Sequence, residues 1–205
     1  MIKPQVVILA GGRGMRLGRE VSVPKPLVKI GDKPILWHVM KLYQHFGFND
    51  FIICLGYEAS KIENEMKKFK DFKMTFVDTG LDTMTGGRIK KIQRCIRGDV
   101  FFCTYADGLA SINIRDLLDF HLKKKQIATI TVVHPTSQFG IVELNSEDVI
   151  ISFKEKPPLN EWINGGFFVF NKKIFEYLGD NDILEKTPFD HLVKDRQING
   201  YKFGG

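Results

Sequence analysis

Residues 6–34 read VVILAGGRGMRLGREVSVPKPLVKIGDKP, an apolar run that breaks into a loop rich in glycine and positive charge. The run Val6–Ala10 has the length and the β-branched side chains of a buried strand. Glycines after a strand let backbone N–H groups approach phosphate oxygens closely. The loop also carries cations, and one of them, Lys25, stands between two prolines that fix the backbone. We therefore predict that this loop binds a phosphate-bearing ligand.

Two common phosphate loops do not fit this stretch. A P-loop requires a glycine followed by Lys and then Ser or Thr, and no such triplet occurs here. A dinucleotide-binding turn requires GxGxxG at the start of a helix, whereas the helical pattern after Gly12 and Gly14 begins only near Pro34. A nicotinamide-dependent oxidoreductase therefore stays an alternative only if these glycines open a helix. The counter-charges must come from side chains, chiefly Arg16 and Lys25.

The composition is that of one soluble globular domain, with 205 residues, 43% hydrophobic and 26% charged. The net charge of +6 suits an anionic partner, but no block of five like charges favours nucleic acid. The three cysteines have no metal-ligand spacing, and an odd number without a leader peptide favours reduced thiols in the cytoplasm. No apolar run approaches 18 residues, so we expect no membrane span.

Strand and helix patterns alternate along the chain. Strand patterns occupy 5–10, 51–55, 73–77, 100–104 and 127–133, with helical patterns starting near Pro34 and at 58, 86 and 113. This order predicts an α/β fold, a three-layer Rossmann-like arrangement with a mainly parallel sheet, whose ligands bind beyond the carboxyl ends of the strands. After residue 134 come shorter extended pieces and two helical patterns, at 171–178 and 181–196.

Several separated motifs resemble the nucleotidyltransferase (sugar-nucleotide pyrophosphorylase) family. LAGGRGMRL and PKPLVKIGDKPILWHVM resemble the family signature GGxGTRLxPxTxxxPKP. VDTGLDTMTGGRIKKI, FGIVEL, SFKEKP and EWINGGFFVF are similar to the glucose-1-phosphate cytidylyltransferase branch. The resemblance implies a single nucleotidyltransferase domain over 1–205, with a nucleotide-binding half at 1–133 and a small extended acceptor-binding half at 134–205. It also implies that the family continues past Gly205 with a segment that supplies a second metal-binding aspartate.

The resemblance implies CTP as co-substrate and Mg²⁺ as cofactor, with Arg16, Lys25 and Asp107 as the catalytic residues. Asp107 follows an apolar strand, and a carboxylate there is a hard oxygen ligand suited to Mg²⁺. Arg88 at a helix start indicates a bound anion, because a cation there opposes the helix dipole. The implied nucleotide-binding residues, of which 85–87 would approach the cytosine edge, are Ala10, Gly11, Gly12, Gly14, Met15, Thr85, Gly86, Gly87, Arg88 and Ala106.

The resemblance also implies an acceptor pocket in the second half. In it Lys156 would meet the acceptor phosphate and Glu155 the acceptor hydroxyls. Without the resemblance, EKP is the end of a strand and NGG is a hairpin turn, so it is their occurrence together that favours a site. The implied acceptor-binding residues are Gly140, Glu155, Lys156, Asn164 and Gly165.

The predicted reaction joins CTP and a phosphorylated acceptor into a CDP-acceptor and pyrophosphate, for capsule or other surface polysaccharide precursors. The chain lacks an insertion that the resemblance implies before VDTG, which leaves the acceptor and the contacts of a homo-oligomer open. A compact cytidylyltransferase of the same branch acts on phosphoglutamine in capsule phosphoramidate synthesis, so the acceptor is either that compound or a sugar 1-phosphate such as glucose 1-phosphate. A uridylyl- or thymidylyltransferase and a nucleotide-binding module without turnover remain alternatives.

Overall fold

The computed structural model of the chain describes residues 3–13 and 23–204. The strands are β1 (Val6–Leu9), β2 (Lys29–Ile30), β3 (Lys33–Pro34), β4 (Asp50–Leu55), β5 (Lys73–Asp78), β6 (Val100–Tyr105), β7 (Ala128–Val133), β8 (Ile141–Leu144), β9 (Ile150–Lys154), β10 (Ile163–Asn171) and β11 (Ile198–Lys202). The helices are α1 (Ile35–His45), α2 (Ala59–Met66), α3 (Thr85–Lys91), α4 (Ile114–Lys124) and α5 (Thr187–Lys194). Three 3-10 turns cover Lys25–Leu27, Gln93–Cys95 and Lys172–Glu176.

Seven strands form one twisted sheet in the spatial order β11-β7-β10-β6-β1-β4-β5. Neighbouring strands are parallel except around β10, which pairs antiparallel with both β6 and β7. The interior strand β1 is buried on both faces, as its continuous apolar run requires. The predicted fold class, a three-layer and mainly parallel α/β arrangement, is confirmed.

Alternate residues of the strands feed two separate cores. Val6 and Ile8 pack with α1, α2 and α4 on one face of the sheet. Val7 and Phe168 pack with α3 and α5 on the other face. Because β10 and β11 complete the same sheet, both predicted halves share these cores, and the division at residue 134 stays a prediction.

The second half also contains a hairpin, β8 and β9, outside the main sheet. Its apolar side chains are exposed on both faces, and Phe139, Ile151 and Phe153 have more than half of their surface open to solvent. The hairpin contains or adjoins three of the predicted acceptor residues.

The predicted start of a helical pattern at residue 113 agrees with the structure. Asn113 caps α4 by accepting from the N–H groups of Arg115 and Asp116 at 3.0 and 3.3 Å, as predicted. The helices predicted at 171–178 and 181–196 are wrong in extent, because only a 3-10 turn and α5 form there. Residues 180–185 are drawn against the start of α3 instead of continuing a helix.

The part of the chain that the structure describes contains no helix with the length and hydropathy that crossing a bilayer requires. Cys54 and Cys103 are buried free thiols, and burial raises the pKa of Cys54 to about 12. Both therefore pack as small apolar side chains rather than as reactive groups.

A buried histidine should make the fold sensitive to acid. His121 of α4 lies 2.9 Å from the Thr129 hydroxyl, and burial lowers its pKa from 6.5 to about 4. The folded chain thus holds the neutral ring while the unfolded chain binds a proton below about pH 6.5, so stability is complete above that pH and falls toward pH 4. We expect the free energy of unfolding in urea to lose about 2 kcal/mol from this group between pH 7 and pH 4.5.

His121→Gln is the matched variant, because its amide can keep the hydrogen bond to Thr129 but does not titrate. Its unfolding free energy should depend less steeply on pH than that of the unmodified chain. Equal pH dependence in the two proteins would contradict the assignment to His121.

Candidate functional site

The glycine loop leaves the carboxyl end of β1, between the ends of β4 and β6. Ala10 is buried and its N–H donates to the Cys54 carbonyl at 2.9 Å, which extends the pairing with β4 by one residue. The Gly11 carbonyl accepts from the N–H of Tyr57 at 3.0 Å. Gly12 faces open space. Gly14, Met15 and Arg16 lie outside the described residues, so their predicted roles stay predictions.

Arg88 lies beneath this loop and binds it from below. It is 4% exposed, and its two terminal nitrogens donate to the carbonyls of Leu55, Gly80 and Gly11, each at 2.9 Å. A further bond of 2.6 Å runs to the Thr79 hydroxyl. Burial lowers the pKa of the guanidinium, whereas the converging oxygens favour its charged form. Arg88 therefore ties the loop to the ends of β4 and β5.

The glycines around Arg88 make room for its side chain. A Cβ on Gly56 would lie 2.6 Å from an Arg88 terminal nitrogen, and a Cβ on Gly11 would overlap the guanidinium. The explanation of Arg88 by a bound anion needs correction, because protein carbonyl oxygens occupy that place in the structure. Arg88 lies next to the glycine loop, as the predicted site requires, and its contact with the nucleotide stays a prediction.

Gly86 and Gly87 are required by a contact within the protein. Their N–H groups donate to the Asp182 carbonyl at 2.8 and 3.1 Å, and a Cβ on Gly87 would lie 2.5 Å from the Asp180 carbonyl. The close backbone approach predicted here exists, but its partner is the chain's own segment 180–182. Contact of 85–87 with the cytosine ring stays a prediction.

The structure brings two of the predicted catalytic residues together. Lys25 begins a 3-10 turn, and the prolines on either side of it, Pro24 and Pro26, are both buried and hold the turn against the protein. Its Nζ is 4.0 Å from a carboxylate oxygen of Asp107, which follows the buried Ala106 at the end of β6. The side chains remain 32% and 50% exposed, so both can reach a ligand above the sheet edge.

Asp107 fits one Mg²⁺ ligand rather than a complete metal cage. No cluster of three His, Cys, Asp or Glu that could hold a metal occurs among residues 3–13 and 23–204. Mg²⁺ is commonly bound by one or two carboxylates, with phosphate oxygens and water completing its octahedron. A half-exposed carboxylate beside a lysine, at a loop that is predicted to bind phosphate, fits that mode.

The hairpin brings two predicted acceptor residues into contact. A Cβ on Gly140 would lie 3.0 Å from a carboxylate oxygen of Glu155. The neighbouring Lys156 has a φ of +44°, in the left-handed region, and precedes a proline. Such a backbone is strained for a non-glycine residue, and strain of this kind concentrates at functional sites.

Asn164 and Gly165 start β10, beside the end of β7. Asn164 pairs with Val132, and a Cβ on Gly165 would lie 2.7 Å from the Thr131 hydroxyl, so glycine lets the two strands approach. Segment 157–159 also pairs with 135–137, directly after β7. The EKP and NGG motifs therefore both lie beside the end of β7 and the residues that follow it.

A cluster of aromatic and basic side chains adjoins Asn164. The ring centres of Trp162 and His134 are 3.6 Å apart, and the Lys202 Nζ is 5.2 Å from the Trp162 ring centre. In the two strands that flank β7, Asn164 and Lys202 both pair with Val132, so their side chains lie on the same face of the sheet. Trp162 is two residues from Asn164 and therefore belongs to that face too. Neither Lys202 nor His134 has an acidic partner within 4.0 Å among the described residues.

Two features of the site were not found in the sequence. The carboxylate of Glu185 accepts hydrogen bonds from Thr85 and Tyr105. Arg13 forms an ion pair of 2.7 Å with Asp82, from the glycine loop to the turn before α3. Glu185 falls in a stretch with a helical charge pattern, where an acidic residue gives no sign of a site. Its partners are 100 and 80 positions away, and no spacing pattern in the sequence connects residues so far apart.

The Arg88 contacts predict a stability effect. Arg88→Met would leave several buried carbonyls without a donor, so the free energy of unfolding should fall by about 2–4 kcal/mol. Arg88→Lys should lower the free energy of unfolding less, because one ammonium can donate to up to three of the oxygens. Arg94→Met, at an exposed arginine, is the control for urea unfolding. If Arg88→Met lowers the free energy of unfolding no more than Arg94→Met does, Arg88 does not stabilise the loop in the way described.

Comparison with known proteins identifies the family. The family model described as nucleotidyl transferase matches residues 5–194. The probable glucose-1-phosphate cytidylyltransferase of Bacillus subtilis (strain 168) is 38% identical over 226 residues, covering 98% of this chain and 89% of that protein. The glucose-1-phosphate cytidylyltransferase of Salmonella typhimurium (strain LT2) is also 38% identical, over 229 residues, covering 98% and 88%.

Solved structures agree with this result. The crystal structure of HddC from Yersinia pseudotuberculosis has a TM-score of 0.77 at 26% identity, covering 97% of this chain and 90% of that one. HddC complexed with GMP-PN gives a TM-score of 0.78 at 25% identity, covering 98% and 90%. By its sequence and by its fold, the chain belongs to the nucleotidyl transferase family and is a nucleotidyltransferase.

Proposed function

We propose that this protein is a cytidylyltransferase, which converts CTP and a phosphorylated acceptor, in the first place glucose 1-phosphate, into the CDP-acceptor and pyrophosphate. The observation that carries the proposal is the approach of Lys25 to Asp107 beside the glycine loop. The two relatives named for glucose-1-phosphate cytidylyltransferase support the choice of CTP and of a sugar 1-phosphate. Such a product would serve as a precursor for capsule or other surface polysaccharides.

In the proposed reaction the acceptor phosphate oxygen attacks the α-phosphorus of CTP. A new P–O bond forms as the P–O bond to the departing pyrophosphate breaks, so no protein nucleophile and no general base are needed. Lys25 would hold the triphosphate and neutralise the charge that develops on the leaving group. Lys156 would hold the acceptor phosphate in line, while Glu155 would orient the acceptor.

Asp107 would hold Mg²⁺ together with phosphate oxygens. The ion, when bound, would neutralise phosphate charge and help to align the two reactants. The rigid placement of Lys25 between two prolines supports this division of labour, because a fixed charge need not reorganise as the reaction proceeds.

A second acceptor, phosphoglutamine, is favoured by one observation. Lys202 and His134 flank Trp162 on the face of the sheet that carries Asn164. The positive charge of Lys202 suits a carboxylate at the end of the acceptor away from its phosphate, and a neutral sugar offers no such group. This candidate differs from the first only in the acceptor and not in the phosphoryl chemistry.

One assay tests both choices. Pyrophosphate release is measured with CTP, UTP, dTTP and GTP, each offered with glucose 1-phosphate or phosphoglutamine in the presence of Mg²⁺. We expect CTP to be the preferred nucleotide. Faster turnover with another nucleotide would overturn the cytidylyl assignment, and nucleotide binding without pyrophosphate release would favour a binding module. If Lys202 binds the carboxylate, Lys202→Gln should slow pyrophosphate release with phosphoglutamine but not with glucose 1-phosphate.

A further inference from the structure

Glu185 is a carboxylate that the proposed chemistry does not use, yet it lies between the two parts of the site. One of its oxygens accepts from the Thr85 hydroxyl at 2.8 Å, and the other accepts from the Tyr105 hydroxyl. These partners are 100 and 80 positions away in the sequence. The contact is therefore formed only in the folded protein.

At one end, Glu185 fixes the start of α3. The Thr85 hydroxyl that donates to Glu185 also accepts from the Leu184 N–H at 2.8 Å, so both of its hydrogen-bonding functions are used. Just before it, the Met84 N–H donates to the side chain of Asn181 at 2.7 Å. The segment 181–185 thus sets the position of the turn that is predicted to meet the nucleotide.

At the other end, Glu185 fixes Tyr105, the last residue of β6. Tyr105 stands two positions before Asp107, and its ring packs on Phe168 with the centres 5.6 Å apart. Gly166, with a φ of +81°, has no Cβ and so leaves space for the same ring. The Gly166 N–H donates to the side-chain oxygen of Asn164 at 2.9 Å, which links this ring to the predicted acceptor side, and burial together with Glu185 raises the pKa of Tyr105.

The arrangement differs from a salt bridge. Among the described residues no lysine, arginine or histidine lies within 4.0 Å of the Glu185 carboxylate. Two hydroxyl donors hold it instead, and each is directed by the carboxylate oxygen that it binds. Glu185 thus orients its neighbours without neutralising a charge.

We propose that Glu185 is a positioning residue of the transfer reaction, which sets the nucleotide side of the site through Thr85 and the acceptor side through Tyr105. The inference rests on the proposed function, because it takes 85–87 as the nucleotide side and Asn164 as the acceptor side. Glu185 itself need not touch either substrate.

The test compares three variants that each remove one part of this bridge. Thr85→Val should raise the KM for CTP about tenfold and leave the KM for the acceptor nearly unchanged. Tyr105→Phe should do the reverse. Glu185→Gln should raise both KM values and lower kcat about tenfold, because an amide has one acceptor oxygen for two hydroxyl donors. Adding Tyr105→Phe to Glu185→Gln should cost little more, since the two changes remove one shared interaction.

Glu176→Gln, at an exposed position, is the matched control and should change neither KM. Unchanged KM values in all three variants, with only a lower urea midpoint, would overturn the proposal and leave Glu185 a structural residue. If Glu185→Gln does not fold, Thr85→Val and Tyr105→Phe decide the question, because each removes a single hydroxyl.

The unmodified protein separates this inference from the proposed function. If it prefers another nucleotide, the cytidylyl assignment fails, and the variants are measured with the nucleotide that reacts. If it binds nucleotide without turnover, dissociation constants replace the KM values. Thr85→Val must then weaken nucleotide binding and Tyr105→Phe must weaken acceptor binding, and failure of either effect overturns the role of Glu185.

Discussion

Lys25→Ala should lower kcat/KM for pyrophosphate release by about 10²–10³-fold, which corresponds to about 3–4 kcal/mol of transition-state stabilisation. The ammonium is 4.0 Å from Asp107 and held by a turn whose backbone Pro24 and Pro26 restrict. Alanine would remove a fixed positive charge where charge develops on the leaving pyrophosphate. Since the turn depends on the prolines and not on the side chain, the unfolding free energy should change by less than about 1 kcal/mol.

Lys29→Ala is the matched control for this variant, because Lys29 is also exposed and lies four residues along the same segment. It should keep nearly full activity. A folded Lys25→Ala protein with the activity of the Lys29→Ala control would contradict the role of Lys25. Lys25→Arg should recover activity only in part, since the planar guanidinium does not reproduce a compact ammonium.

Asp107→Asn should lower kcat by about 10³-fold at a fixed Mg²⁺ concentration, because the amide is neutral and is a weaker ligand for a hard cation. The half-exposed carboxylate has an ion pair with Lys25 as its one salt bridge among the described residues, so little stability should be lost. Activity is measured as pyrophosphate release against Mg²⁺ concentration. The variant should need more Mg²⁺ than the unmodified protein for half of its own maximal rate.

Asp119→Asn, at an exposed position on α4, gives the same change in charge away from the site and should leave the Mg²⁺ dependence unchanged. An Asp107→Asn protein with an unaltered Mg²⁺ dependence would show that this carboxylate does not hold the ion. A lower rate with no shift in that dependence would assign Asp107 an orienting role toward Lys25 instead.

The place of Lys25 and Asp107 in one site could be predicted because the family resemblance and the local strand patterns point to the same edge of the sheet. Buried parallel strands have continuous apolar runs, and their carboxyl ends meet at one edge of a sheet. A loop after β1 and a carboxylate after β6 must therefore be neighbours once these strands pair. The pairing of β1 with β6 supplies that contact.

Other parts of the site could not be predicted, for reasons that differ between residues. The place of Arg88 at a helix start indicates a bound anion, and only the folded chain brings the Gly11 and Leu55 carbonyls to it. Glu185 resembles an ordinary helix-surface acid. The direction of β10 was also hidden, since an apolar run such as FFVF has the same pattern in parallel and antiparallel sheets.

The place of β10 in the sheet has a consequence for how the chain is made. On a ribosome, β1, β4, β5 and β6 emerge early and can assemble, but β6 then presents an unpaired edge until β10 follows about sixty residues later. Only when β10 inserts can β7 and β11 join the rest. Through that interval the nascent protein carries an open apolar edge that a chaperone or a second nascent chain could bind.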